Sequence, residues 1–91
     1  MSNFYDTNKV DEVLTHYRKL GDVYDWYTDY ATHRVWLCYR MRYDDNNNWH
    51  EEVVIIKEHD DNKFTIRKYN KIPKKYLPIL KAFYPMSFMF W

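Results

Sequence analysis

The sequence predicts an α+β fold in one domain of residues 1–91, built from an N-terminal helix, an antiparallel meander of three strands, a C-terminal helix and an apolar tail. Three observations favour this class. Apolar residues recur at helical spacing near the start, Val53–Ile56 is a run of four β-branched residues, and short Asn- and Asp-rich turns separate alternating segments. Aromatic residues make up 21% of the chain. Because aromatic side chains bury a large area, a compact core is expected without disulfides or metal.

Residues 8–20 are predicted to form the first helix. Four apolar residues at positions i, i+3, i+4 and i+7 would share one helix face: Val10, Val13, Leu14 and Tyr17. Asn8, with Asp11 three residues later, resembles an N-terminal capping arrangement. Gly21 follows the last periodic residue, so we expect it to end the helix in a left-handed conformation.

The segment 22–31 has two interpretations. Val23, Trp26 and Tyr30 keep helical spacing, whereas aromatic residues and Thr28 also alternate as they would in a strand. The aspartates disfavour a strand. We therefore predict a short second helix here, with a fourth strand of the meander as the alternative.

Three strands are predicted from alternation and β-branched content, over residues 33–43, 51–58 and 63–69. The first is expected to place one face on the core. The second contains Val53–Ile56 and is expected to be a central strand buried on both faces. The turns at 44–48 and 59–62 are short, which makes neighbouring strands antiparallel.

The last third of the chain contains three prolines. Pro73 and Pro78 each suit the first position of a helix, and Pro85 is expected to stop that helix. The tail 86–91 is almost entirely apolar and would be unfavourable in water. We expect it to pack as an extended segment, either on the core or on a partner.

This element order resembles that of double-stranded-RNA-binding domains. The resemblance covers the topology and the Lys74-Lys75 pair near the last helix, and the glycine-bearing loops of that family are absent. It implies RNA binding as one expectation.

Site chemistry is sparse, and the chain is not expected to be an enzyme or to hold a metal or cofactor. His50 and His59 bracket the central strand and would lie about 30 Å apart, at about 3.3 Å per residue. Counting from Asp44, a calcium loop would need Gly at the sixth position and Glu at the twelfth, but Trp49 and Ile55 stand there. With Gly21 as the single glycine, no phosphate-cradling loop forms.

A cytosolic compartment is expected. The lone Cys38 cannot form an internal disulfide, which fits reducing conditions. The N-terminus shows no signal-peptide pattern, and the most apolar stretch, 76–91, is shorter than a membrane-spanning helix.

Charge is divided unevenly along the chain. Residues 1–62 hold 13 acidic and seven basic residues, a net charge of −6, whereas residues 63–91 hold seven basic residues and no acidic one. Such asymmetry indicates interaction with a charged partner or neutralisation between the two halves. The residues predicted to bind a partner are Arg67, Lys68, Tyr69, Lys71, Lys74, Lys75, Tyr76 and Trp91.

The predicted function is that of a small non-enzymatic module that binds a larger protein or ribonucleoprotein, since Tyr, Trp and Arg are the residues that dominate interfaces. Compact phage or mobile-element inhibitors of host nucleases or CRISPR complexes are similar in size and composition. The alternative is a nucleic-acid-binding module that uses the interleaved basic and aromatic residues of 63–81.

Overall fold

The computed structural model describes residues 4–28 and 30–91 and confirms the α+β class. The four strands form one antiparallel meander in the order β1-β2-β3-β4. The elements are α1 (Thr7–Leu20), β1 (Asp22–Tyr27), β2 (Arg34–Tyr43), β3 (Trp49–His59), β4 (Lys63–Tyr69), a 3-10 turn (Lys74–Tyr76), α2 (Leu77–Phe83) and α3 (Pro85–Phe88).

The sheet is covered on both faces. On the α1 face, helix residues pack against the even-numbered side chains of β2, β3 and β4; this cluster consists of Val10, Leu14, Tyr17, Trp36, Cys38, Val54, Ile56 and Phe64. On the opposite α2 face, the C-terminal helices and the chain before them complete a second cluster of Trp26, Val35, Leu37, Val53, Ile55, Ile72, Tyr76, Leu80 and Phe88. The prediction that Val53–Ile56 is buried on both faces is confirmed. The expectation that 33–43 has one face on the core is wrong, because Trp36 and Cys38 are buried as well.

The short second helix predicted over 22–31 is wrong, because residues 22–27 form strand β1. β1 pairs along its whole length with β2, and Trp26 faces Val35 in the core. The carboxylate of Asp25 is accommodated at the sheet edge because Arg34 Nε donates to it at 2.8 Å. Cross-strand pairing therefore outweighs the low strand propensity of aspartate. Asp29 lies outside the described residues.

Helix α1 spans the predicted residues plus Thr7, but both of its ends differ from expectation. The N-cap is Asp6, whose carboxylate accepts a hydrogen bond from the Lys9 amide at 2.9 Å, rather than Asn8. Gly21 has φ −164°, so it is extended and not left-handed. A Cβ at this position would lie 2.1 Å from the carbonyl oxygen of Tyr39. Glycine is required here because the chain passes so close to β2.

In the C-terminal region the helix lies where the prolines predicted it, but the tail is not extended as expected. Pro78 lies in the first turn of α2, and the chain leaves that helix before Pro85. Residues 85–88 then form a further helical turn, with Phe88 only 2% exposed. The tail is thus partly helical, and it is anchored in the core by Phe88.

The resemblance to double-stranded-RNA-binding domains does not hold in the structure. Four strands follow α1 instead of three, and α1 and α2 pack on opposite faces of the sheet. The expectation of RNA binding that rested on this topology loses its support.

Candidate protein-binding surface

The β2–β3 hairpin extends beyond the rest of the sheet. β1 pairs with residues 34–39 of β2, and β4 pairs with residues 53–59 of β3. Residues 40–52 therefore form a hairpin end that no other strand flanks in the described chain. Its strands remain paired up to Tyr43 and Trp49, so the projection is ordered by backbone hydrogen bonds.

The α2 face of the hairpin end exposes three large apolar side chains beside one carboxylate, that of Glu51, which is opposite Met41. Met41, Tyr43 and Trp49 lie on this face, and they are 44%, 62% and 49% exposed. The rings of Tyr43 and Trp49 are opposite each other across the strands, with centroids 4.5 Å apart in an edge-to-face arrangement. This pairing holds two large aromatic side chains in a fixed orientation at the surface.

The other face of the hairpin end is polar. The guanidinium of Arg40 lies 2.7 Å from a Glu52 oxygen, and His50 Nε2 lies 2.7 Å from Asp44 Oδ2. The hydrogen bond from His50, together with those from the backbone amides of Asn48 and Asn46, lowers the pKa of Asp44 to about 2. Asp44 thus organises the connecting turn.

The C-terminal segment meets the base of the hairpin. The ring of Trp91 packs edge-on against Tyr39, with centroids 5.5 Å apart, and in a tilted arrangement against Phe88, with centroids 5.7 Å apart. The Tyr39 hydroxyl in turn donates to Glu51 at 3.0 Å. Because Tyr39 lies two residues before Met41 on the same face, Trp91 brings the chain end next to the hairpin's apolar side.

The remaining apolar side chains of this segment are exposed. Met86 is 88% exposed, Phe90 is 93% exposed, and Met89 and Phe83 are also at the surface. Phe88 packs in the core and anchors the backbone that carries Met86, Met89 and Phe90. We use the name aromatic surface for the hairpin and C-terminal residues together, which are Met41, Tyr43, Trp49, Met86, Met89, Phe90 and Trp91.

The predicted basic site is divided among several places. Arg67, Tyr69 and Lys75 line a groove of about 310 Å³ on the α2 face, together with Ile55, Lys57, His59 and Thr65. Lys68 lies on the α1 face, in a second groove that also contains Lys9, Glu12 and Glu52. Lys71 and Lys74 are exposed around the connection between β4 and α2. The stretch 63–81 therefore does not form one basic strip.

Tyr76 does not lie at the surface where the sequence predicted a contact. It is 6% exposed and packs in the core against Trp26, with ring centroids 5.6 Å apart. Its hydroxyl is buried and has no hydrogen-bond partner among the described residues. Its ring instead makes cation–π contacts with two lysines, whose Nζ atoms lie 5.6 Å (Lys57) and 5.1 Å (Lys75) from the ring centroid.

Sequence reasoning missed the hairpin residues and the groove partners. The exposure of Met41 and Tyr43 could not be predicted, because alternation shows which residues share a face but not how far the neighbouring strands reach. Lys57 and His59 lie in the same groove as Arg67 only because of how β3 and β4 are paired, with Ile55 opposite Arg67. That register could not be read from the sequence. Unequal lengths of the alternating segments are the one sequence signal that indicates an overhanging hairpin.

Few of the described side chains are suited to nucleophilic catalysis or to metal binding. Burial raises the pKa of the Cys38 thiol to about 12, so it is not a nucleophile at neutral pH. Within residues 4–28 and 30–91, no three His, Cys, Asp or Glu side chains come together as metal ligands. No helix in the same residues is long and apolar enough to cross a membrane.

No protein family, curated protein or solved structure matches this chain.

Proposed function

We propose that this chain is a small non-enzymatic protein-binding module that contacts its partner through the aromatic surface. The observation that carries this proposal is the fixed exposure of Tyr43, Trp49 and Met41 on one side of a projecting hairpin, beside the exposed C-terminal segment. Exposed apolar patches of this kind mark interaction sites, and Trp and Tyr are enriched among the residues that dominate binding energy.

The geometry favours a preformed docking element. The hairpin end is paired over its length, its turn is held by Asp44, and Trp91 ties the chain end to Tyr39. Side chains that are already ordered lose less entropy on binding, so more of the contact energy contributes to affinity.

Inhibition of a host nuclease or CRISPR complex is a more specific form of this function. Its support is the chain's small size, its aromatic content of 21% and the projecting hairpin, which suits insertion into a cleft of a larger protein. The test is inhibition of a purified target nuclease by the wild-type chain and not by Trp49→Ser. Absence of inhibition by the wild-type chain would contradict this form of the proposal, and equal inhibition by both proteins would contradict the role of Trp49 in it.

The binding proposal itself is tested by substituting the hairpin aromatics. Tyr43→Ser and Trp49→Ser should each weaken binding to a partner captured from the source organism by at least about tenfold, a typical cost of losing an interface aromatic. Tyr30→Ser is the matched control, because Tyr30 is 87% exposed and lies in the β1–β2 connection. Equal affinities of all four proteins, measured at equal thermal stability, would refute the proposal.

The nucleic-acid alternative has weaker support. Its basic residues lie on both faces of the sheet, and Tyr76, one of the interleaved aromatic residues of 63–81, is buried. If a phosphate backbone were nevertheless the partner, affinity would fall steeply with salt and show little dependence on Trp49.

A further inference from the structure

The groove on the α2 face concentrates positive charge that the fold does not neutralise. Its lining contains three permanent cations, Lys57, Arg67 and Lys75, together with His59, and it contains no Asp or Glu. None of these three cations forms a salt bridge with a described residue. Two other cations of the sheet are paired, since Arg34 binds Asp25 and Arg40 binds Glu52, whereas Arg42, Lys63 and Lys68 also form no salt bridge with a described residue but do not line the groove.

The cations are held in place by the core beneath them. Lys57 and Lys75 both place their amines against the ring of Tyr76, which is buried and therefore fixed. Arg67 projects from β4 beside β3, where Ile55 is its cross-strand partner. Strands β3 and β4 and the 3-10 turn before α2 thus bring three positive charges together. These charges repel one another unless an anion lies between them.

The uncharged groups of the groove are also suited to an anion. Thr65 and Tyr69 provide hydroxyl groups, and His59 Nε2 lies 3.1 Å from the Thr65 hydroxyl, which holds that side chain at the groove. With the His59 proton on Nε2, the ring donates to Thr65 and leaves the threonine proton for an anion. A volume of about 310 Å³ is near the lower end of small-molecule pockets, which begin at about 300 Å³. The groove therefore suits one anionic group with a small substituent rather than a long strand.

We propose that this groove is a binding site for a phosphate monoester, with Lys57, Arg67 and Lys75 as its charged ligands. A phosphate monoester carries close to two negative charges above pH 7 and has three strong acceptor oxygens, which matches a site with three cations and two hydroxyls. Arg67 supplies a planar pair of donors and the lysines supply point charges. This site is separate from the aromatic surface and does not depend on the proposed protein-binding function.

The test uses phenyl phosphate as the probe, titrated into the full chain at pH 8 and constant ionic strength. Binding is followed by calorimetry and by amide shifts of Thr65, Arg67 and Tyr69. Arg67→Gln and Lys75→Gln should each weaken binding at least about tenfold, since each removes a charge-assisted contact. The matched controls Lys19→Gln, on α1 across the sheet, and Lys81→Gln, on α2, remove exposed lysines outside the groove lining and should stay within about twofold of wild type.

A second arm distinguishes a monoester from a nucleic-acid backbone. A thymidine oligonucleotide of six nucleotides should bind when it carries a 5′-phosphate and should bind at least about tenfold more weakly with a 5′-hydroxyl. Equal binding of the two oligonucleotides would overturn the proposal in favour of phosphodiester recognition. Absence of phenyl phosphate binding, or equal losses in the groove variants and the lysine controls at unchanged melting temperature, would also overturn it.

Discussion

At the residue scale, the surroundings of a side chain decide its role more than its type does. Gly21 ends α1, yet its backbone is extended, and the need for glycine comes from the neighbouring carbonyl of Tyr39. Tyr76 lies in a basic, aromatic stretch of sequence, yet it is a core residue. In both cases the deciding contact is distant in sequence.

Gly21→Ala should destabilise the fold by about 1–3 kcal/mol, the typical cost of forcing an extra methyl group into a packed site. The added Cβ would lie 2.1 Å from Tyr39 O and 2.8 Å from Arg40 Cβ, so α1 or β2 must shift. Urea unfolding measures the change, with Thr15→Ala on the exposed side of α1 as the control. A Gly21→Ala protein as stable as the control would show that the close approach is absent in solution.

Tyr76→Phe should increase the free energy of unfolding by about 1 kcal/mol, because a buried hydroxyl without a partner carries an uncompensated desolvation cost. The ring contacts with Trp26 and the two lysines remain possible for phenylalanine. Thermal and urea unfolding test this, with Tyr30→Phe at the exposed turn as the control. A clear loss of stability in Tyr76→Phe would mean that the hydroxyl has a partner in solution.

At the element scale, strand lengths and edges shape the surface. The two longest strands, β2 and β3, form the projecting hairpin end. Each edge of the sheet is also covered at one point. The Tyr84 hydroxyl bonds the backbone of Asp25 in β1, and Tyr5 pairs with Phe64 in β4. Such cover reduces unwanted strand pairing at sheet edges and leaves the hairpin end as the main projecting feature.

The turn of the hairpin gives a pH prediction. The pKa of Asp44 is lowered from 3.8 to about 2, first by the hydrogen bond with His50 and then by backbone amides. A lowered folded pKa means that the carboxylate stabilises the turn above pH 4 and that this contribution disappears as pH falls through 2. The Asn46 and Asn48 amide shifts should therefore titrate near pH 2. His50→Ala should raise that midpoint, and a wild-type midpoint near 3.8 would contradict the turn geometry.

Local patterns predicted much of the architecture. Alternation located β2, β3 and β4, and the prolines located α2, because these signals act within a few residues. The type of β1 could not be predicted, since its aromatics fit both spacings and only pairing with β2 decides between them. The grouping of Lys57 with Arg67 depends on strand register, and the exposure of Tyr43 depends on where β1 and β4 end.

At the scale of the whole molecule, the two proposed binding sites occupy different parts of the surface. The molecule is elongated, with extents of 42 × 30 × 24 Å. The aromatic surface combines the hairpin end with the C-terminal segment, whereas the basic groove lies between β3, β4 and the turn before α2. Only two of the seven basic residues of 63–91, Arg67 and Lys75, line that groove, where Lys57 from the acidic part of the sequence joins them.

The most direct test of this account is the affinity of Met86→Ser/Phe90→Ser for the captured protein partner, measured by calorimetry beside a thermal melt. Both side chains are almost fully exposed, so the melting temperature should match wild type. If the C-terminal segment and the hairpin act as one binding surface, affinity should fall by at least about tenfold while the Tyr30→Ser control binds normally. Wild-type affinity of this variant, with an intact fold, would contradict the claim that the aromatic surface binds the partner.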